Sequence, residues 1–438
     1  MSLPTTLKLV DGSPHRGYRV LGVLHFLLAF VALLIKLPFY LLYHYVLFRN
    51  RSTLVKIGRN PLAEVINHVA KEIFNNFPLS GSRAVFATQL FLRRDKWIER
   101  ITTDEGVKGV WIRRPGTDRR DDDLVLYFLH GGAFNHDIVG ASLPFYKSLV
   151  LDLNQHPENP RRFSLFVLDY HLAPEKIYPS QLIELEAGYR YLTQTLGIEP
   201  ERICLGGDSA GGNLVSSFLL HLVKPNPRLG HISPPLEKPG SVLLMSPWTS
   251  LLPLASRPSR TSSAHAALDF LMTPAVTLGA YQYLGLEAPF AAGPSWNPLK
   301  WFGILQDEMP HLENENEING AFDDPYLSPG PETVGKQDWD WYRKAFPGEG
   351  KTCVIWGGME IFADDIEAFV GALKSVGMNP VKIYHAEKCH DWPLFDYTFP
   401  FLSQTKTGGE SSKFDFGLKE MAAYLRSVSI VDSKDEKY

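Results

Sequence analysis

The chain has 438 residues, a formal net charge of −4, 45% hydrophobic and 12% aromatic residues, and only 3 Cys. Its length exceeds one average domain yet fits a single α/β domain carrying insertions, and its composition excludes collagen-like, low-complexity and mostly disordered chains. Three cysteines cannot build a disulfide framework, and a near-balanced charge leaves no basic footprint for nucleic acid.

Residues 1–19 read as an N-terminal tail. From Val20 to Phe48 the sequence runs VLGVLHFLLAFVALLIKLPFYLLYHYVLF, long enough to cross a bilayer core if Lys36 snorkels or lies near one interface. Tyr40, Tyr43, Tyr45 and Phe48 suit an interfacial aromatic belt. A cleavable signal peptide and a buried core helix compete with this reading, but no A-x-A-like site follows. The expectation is a single-pass transmembrane signal anchor held by membrane lipid, in the endoplasmic reticulum. Basic residues on both sides of the span leave its orientation open.

Residues 49–105 are expected to form a helical cap segment, because Pro61–Phe77 shows helical apolar spacing. A catalytic domain follows over 106–430. Predicted strands lie at Val107–Ile112, Leu124–Leu129, Ser164–Leu168, Ile203–Leu205, Val242–Met245, Cys353–Trp356 and Val381–Tyr384, with amphipathic helices such as Ser180–Thr195 and Asp364–Val376 between them. Apolar strands alternating with helices predict a mostly parallel sheet covered on both faces. The aromatic, Pro-rich stretch 249–346 interrupts the rhythm as an insertion that shapes a lid or pocket wall. Thr405–Lys413 reads as a Gly/Ser-rich surface loop.

Three motifs carry chemistry. Gly207-Asp208-Ser209-Ala210-Gly211 follows an apolar strand and opens a helix-like segment, the context in which G-x-S-x-G lifts a serine above a sheet edge. His130-Gly131-Gly132-Ala133-Phe134 follows the strand ending at Leu129, so Gly131, Gly132 and Ala210 are the candidate backbone donors to an oxyanion. His130 is expected to brace that loop rather than act as a base. Glu360 follows one late strand and His390 another, giving the order Ser209, Glu360, His390 of a nucleophile, acid and base. Asp364 is the runner-up acid. The serine site requires no metal and no cofactor, and Cys204, Cys353 and Cys389 are expected to pack as small hydrophobes.

HGGAF, GDSAGG, DYHLAPE (169–175), SPWT (246–249) and DPYLSP (324–329) together resemble the hormone-sensitive-lipase-like branch of the α/β-hydrolases, over about residues 105–395. With the anchor added, the chain is similar to arylacetamide deacetylases and fungal steryl acetyl hydrolases. The resemblance implies an α/β-hydrolase fold with a helical cap, and a serine carboxylesterase or deacetylase acting on small apolar esters. It places the family's serine on Ser209, the oxyanion glycines on Gly131 and Gly132, the acid on Glu360 where Asp is commoner, and the base on His390. Asp208 falls where the family has a turn-holding residue, and His171 replaces the usual Arg of the DYRLAPE segment. An acyltransferase and a non-catalytic ligand-binding protein share this fold, and the oligomeric state is open.

Overall fold

A computed structural model describes residues 31, 33–39, 41–42, 95–118, 122–157, 162–229, 235–251, 269–271, 273–286, 322–335, 338–400 and 413–429. Eight strands form one sheet: β1 (Ile98–Thr102), β2 (Lys108–Ile112), β3 (Leu124–Leu129), β4 (Phe163–Leu168), β5 (Ile203–Asp208), β6 (Ser241–Met245), β7 (Thr352–Gly357) and β8 (Val381–His385). Their spatial order is β1-β2-β4-β3-β5-β6-β7-β8. From β4 across to β8 every pairing is parallel, while β1 and β2 complete one edge antiparallel.

The central strands read as unbroken apolar runs because both faces are covered. In β3, Val125, Tyr127 and Leu129 enter one core, whereas Leu124, Leu126 and Phe128 enter the other. This is the two-residue period of a strand, with both sides dry. The first core lies under α2 (Ser180–Arg190), α3 (Ala210–Val223) and α7 (Ala363–Ser375); the second lies under α1 (Val139–Gln155) and α9 (Phe416–Val428). The remaining helices are α4 (Thr273–Leu284), α5 (Pro331–Val334), α6 (Asp340–Ala345) and α8 (Trp392–Thr398). Three of them, α4 to α6, belong to the insertion 249–346. The expected mostly parallel α/β sheet is present, and all seven predicted strands are found within a few residues.

Two expectations are corrected. Ile98–Thr102, assigned to the cap segment 49–105, is an edge strand paired with β2 from Ile98↔Ile112 to Thr102↔Lys108. Its neighbours on the sheet, not its own pattern, hold it in place, since Ile98-Glu99-Arg100-Ile101-Thr102 has no strict alternation. The sheet therefore begins before residue 106. The predicted helix Ser180–Thr195 ends as α-helix at Arg190, and Tyr191–Thr195 widens into a π-helical turn.

Most of the predicted span 20–48, residues 49–94, and the loop 405–412 lie outside the described residues. Among the described residues no helix is long and apolar enough to cross a membrane. Residues 33–39 are helical, and Lys36, expected to snorkel or to lie near one interface, is only 1% exposed.

Candidate active site

The candidate residues gather where the parallel strands end at their carboxyl edges, the usual ligand side of such sheets. Ser209 caps α3 immediately after β5, with φ 50° and ψ −116°. Such backbone strain in a non-glycine residue persists only where its surroundings over-determine it. The Ser209 amide donates to the Met245 carbonyl at 2.9 Å; its carbonyl accepts from Trp248 at 3.0 Å and Asn213 at 3.1 Å. Small flanking residues make the turn possible: a Cβ on Gly211 would strike the Leu129 carbonyl. Ser209 itself is 5% exposed. The α3 N-terminus, beginning at Ala210, directs its positive end toward this corner.

Glu360 and His390 come from the loops after β7 and β8 and meet in the interior. His390 Nδ1 is 2.8 Å from Glu360 Oε2, with both side chains at most 1% exposed. The other oxygen, Glu360 Oε1, accepts from the Gly357 amide at 2.7 Å and the Ser246 hydroxyl at 3.1 Å. Ser246 Oγ in turn accepts from the Asp391 amide at 3.0 Å. The carboxylate is thus fixed on three sides, which orients the imidazole. Asp364, the runner-up acid, stands in the first turn of α7 and is not the carboxylate at Nδ1. Glu360 accommodates the extra methylene relative to aspartate because its loop turns back toward β7, where the Gly357 amide meets it.

Sequence reasoning missed three residues that complete this arrangement. Ser246 stands in the SPWT segment at the end of β6, which offered a position but no role. Asp269, fully buried in the insertion, accepts the Ile361 amide at 2.9 Å and the His390 amide at 3.2 Å, joining the acid and base loops through one carboxylate. Asp391, left-handed at φ 47°, brings Oδ2 to 3.2 Å from His390 Nε2.

Electrostatics follow from that crowding. Burial alone would push His390 down, but the Asp391 and Glu360 carboxylates together hold the imidazole well above its ordinary range. Burial pushes Glu360 up, against the pull of His390 and the Gly357 amide. Asp208, also fully buried, is pushed up by burial and by the nearby Asp391 charge, while the Gly131 amide and His390 favour its ionised form.

The glycine loop lies against the nucleophile. A Cβ on Gly131 would strike Asp208 Oδ2 and come within 3.0 Å of the Ser209 Cβ. Gly132 takes φ 102° and Ala210 is wholly buried at the start of α3. His130 braces the loop as expected: its Nδ1 is 2.7 Å from the Gly131 carbonyl, its ring stacks on Tyr170 at 4.3 Å, and Tyr170 donates to its carbonyl. His171, at the family's arginine position, pairs with Glu184 on α2 through its ring and its amide.

The three cysteines are buried; burial pushes Cys204 up to about 12 and raises Cys353 as well, which leaves both thiols inert. Among the described residues no group of three or more His, Cys, Asp or Glu side chains is arranged to hold a metal ion.

Comparison with known proteins extends this geometry. Residues 126–310 match the family model described as alpha/beta hydrolase fold. An esterase from Acinetobacter venetianus is 32% identical over 179 residues, covering 41% of this chain and 51% of that protein. Human hormone-sensitive lipase is 33% identical over 216 residues, 48% of this chain and 18% of that protein. The chain therefore spans about half or less of the length of these relatives. An esterase from the bacterial hormone-sensitive lipase family superposes with TM-score 0.56 at 21% identity, covering 85% of this chain and 99% of that one. A mutant of the esterase E40 gives 0.57 at 22% identity, over 85% and 100%.

Proposed function

Because the chain belongs to the hormone-sensitive-lipase-like branch of the α/β-hydrolases, we propose that it is a carboxylic-ester hydrolase acting on small apolar acyl esters through Ser209, His390 and Glu360. The observation that carries this reading is the buried 2.8 Å contact between His390 Nδ1 and Glu360, together with a serine held on a strained turn at the end of β5. Serine is a weak nucleophile without an adjacent base, and a base without an orienting acid samples the wrong tautomer.

In the proposed cycle the Ser209 hydroxyl adds to the ester carbonyl while His390 Nε2 accepts its proton. Backbone amides of Gly131, Gly132 and Ala210 meet the tetrahedral oxyanion. The imidazolium then protonates the departing alcohol, leaving an acyl-serine. Water, deprotonated by the same imidazole, releases the acid and restores Ser209.

An apolar substrate is supported by the rings around the imidazole and the nucleophile turn. Phe362 and Phe270 lie 5.3 and 5.9 Å from the His390 ring, and Trp248 stacks on Phe362 at 5.6 Å. Acetyl esters of bulky apolar alcohols suit such surroundings. The reading includes an N-terminal anchor over 20–48 in the endoplasmic reticulum membrane. It is supported by the apolar run itself and by the half-exposed Val31, Leu34, Ile35 and Phe39. Carbonate extraction of membranes from expressing cells tests the anchor, which is wrong if the chain is released.

Ser209→Ala is the decisive test of the chemistry. With the purified protein and a panel of p-nitrophenyl esters of increasing acyl length, the wild type should turn over the short esters. The variant should fall to within about 10³ to 10⁴ of the uncatalysed rate. Unchanged turnover in the variant would remove the assignment.

A further inference from the structure

The loop after β3 holds three successive residues at positive φ: Gly132 at 102°, Ala133 at 51° and Phe134 at 62°. Glycine adopts this region freely, but alanine and phenylalanine do so only at a cost. Nothing in β3 enforces such a path, so its support must come from what packs on the loop. That support is an element of the insertion. Phe134 lies flat on Tyr283 of α4, ring centroids 3.8 Å apart and planes 7° from parallel, with Trp248 on another side at 5.6 Å. One residue along, the Asn135 side-chain Nδ2 donates to Gln282 Oε1 of α4 at 2.8 Å. Gly279, one turn earlier on the helix, comes so close that a Cβ there would lie 2.6 Å from the Ala133 carbonyl oxygen and 2.8 Å from its Cβ. The helix is anchored in turn by the Tyr178 amide, which donates to the Tyr283 carbonyl at 2.8 Å. On its other side the loop carbonyl of Phe134 accepts from Ala173 at 2.9 Å.

We propose that α4, through the ring of Tyr283 and the bare backbone at Gly279, is the template that holds the glycine loop in its left-handed, anion-receiving path, which makes Tyr283 a positioning residue for the hydrolytic reaction. The proposal rests on the hydrolase reading above and deepens it. Donors aimed at an oxyanion act in the transition state and hardly at all on the ground-state ester. Loosening the loop therefore lowers kcat and leaves KM nearly unchanged, whereas loss of a substrate-contacting wall would raise KM. The ring of Tyr283, not its hydroxyl, is the functional part. Among the described residues its oxygen is buried without a hydrogen-bond partner, so phenylalanine preserves the ring contacts that the loop makes.

The experiment compares Tyr283→Phe, Tyr283→Ala and Gly279→Ala in the full-length enzyme. Each is assayed with a short p-nitrophenyl ester and with an alkyl trifluoromethyl ketone, whose carbonyl takes up the serine hydroxyl as a tetrahedral adduct. Tyr283→Phe should match the wild type. Tyr283→Ala and Gly279→Ala should each lose about 10² in kcat, the effect of one displaced oxyanion donor, with KM within about threefold. Ketone affinity should fall in parallel with kcat/KM. Gly279→Ala adds no polar group and leaves the Tyr283 ring in place, and circular dichroism with a thermal melt on each variant separates a displaced loop from an unfolded chain. If Tyr283→Ala does not fold, Gly279→Ala alone decides. The proposal is overturned if folded Gly279→Ala keeps kcat within about threefold, if KM rises while kcat holds, or if Tyr283→Phe is as damaged as Tyr283→Ala. A wild type that turns over no ester and forms no ketone adduct overturns the hydrolase reading instead, and this proposal with it.

Discussion

Replacing Glu360 by glutamine keeps the shape of the side chain and removes its charge, so it isolates what that charge contributes. Glu360 Oε1 already accepts from Gly357 and Ser246, so the oxygen of a glutamine must stay there and its amino group must face His390. An N–H donor at Nδ1 forces the neutral imidazole to carry its proton on Nε2, the nitrogen that has to accept from serine. The lost attraction sets the expected magnitude. At the observed 2.8 Å separation, opposite charges at an effective dielectric near 20 attract by about 6 kcal/mol. At about 1.4 kcal/mol per tenfold in rate, that corresponds to a loss of roughly 10⁴ in kcat. Asp391 cannot replace the lost charge, because it meets the other nitrogen, Nε2. The assay is steady-state hydrolysis of a short p-nitrophenyl ester, with circular dichroism to confirm folding and Asp364→Asn alongside. Asp364→Asn should cost less than about tenfold, since Asp364 is not the carboxylate at Nδ1. A Glu360→Gln enzyme within tenfold of wild type, or the reverse ranking of the two variants, would refute the assignment of the acid.

Two further outcomes follow from buried carboxylates. Asp391→Asn should move the acid limb of the kcat/KM profile to lower pH, by about one unit or more. Asp391 stabilises the imidazolium, and catalysis needs the neutral ring, so removing that charge frees the base at lower pH; the limb staying in place or moving up would count against it. The groups left around the ring are Glu360, Asp208 and the Asp269 carboxylate at its amide. Asp122→Asn should stabilise the protein at neutral pH. Burial raises Asp122 from 3.8 to about 6, against its 2.5 Å bond from Ser164 and the pull of Arg113 and Arg162. Its ionised form is therefore disfavoured in the fold, and stability is lost as pH rises through that window, on the order of 2–3 kcal/mol as an upper bound. The melting temperature of the variant should exceed that of the wild type at pH 7 and match it near pH 3; equal values at both would contradict the reasoning.

The sheet and the candidate site residues were legible for different reasons. Strands such as Leu124–Leu129 announce themselves because both of their faces are dry, leaving a six-residue apolar run. Ile98–Thr102 does not, because three of its five side chains face solvent and its pairing with β2 is a tertiary fact. Ser209, Glu360 and His390 could be singled out as candidates because each follows a strand in a motif whose chemistry is local. Asp269 was not, since its partners lie 92 and 121 positions away in a segment without periodicity. Asp391 adjoins the base in sequence, yet only its left-handed backbone turns the carboxylate toward Nε2. Tyr283 reads in sequence as one more aromatic residue of a helix. Its meaning appears only when Phe134 is seen lying on it.

The carboxylate of Asp269 has a consequence for anyone reshaping the proposed hydrolase site. It arises from the insertion, the part of the chain one would exchange to change which alcohols or acyl groups fit, yet it clasps the amides of Ile361 and His390. Grafting a foreign segment over 249–346 would remove that clasp along with the old pocket wall, so on the hydrolase reading selectivity and turnover would not be independent modules. A swap library that fixes Asp269 while varying the rest of the insertion should retain many more active members than one that randomises it.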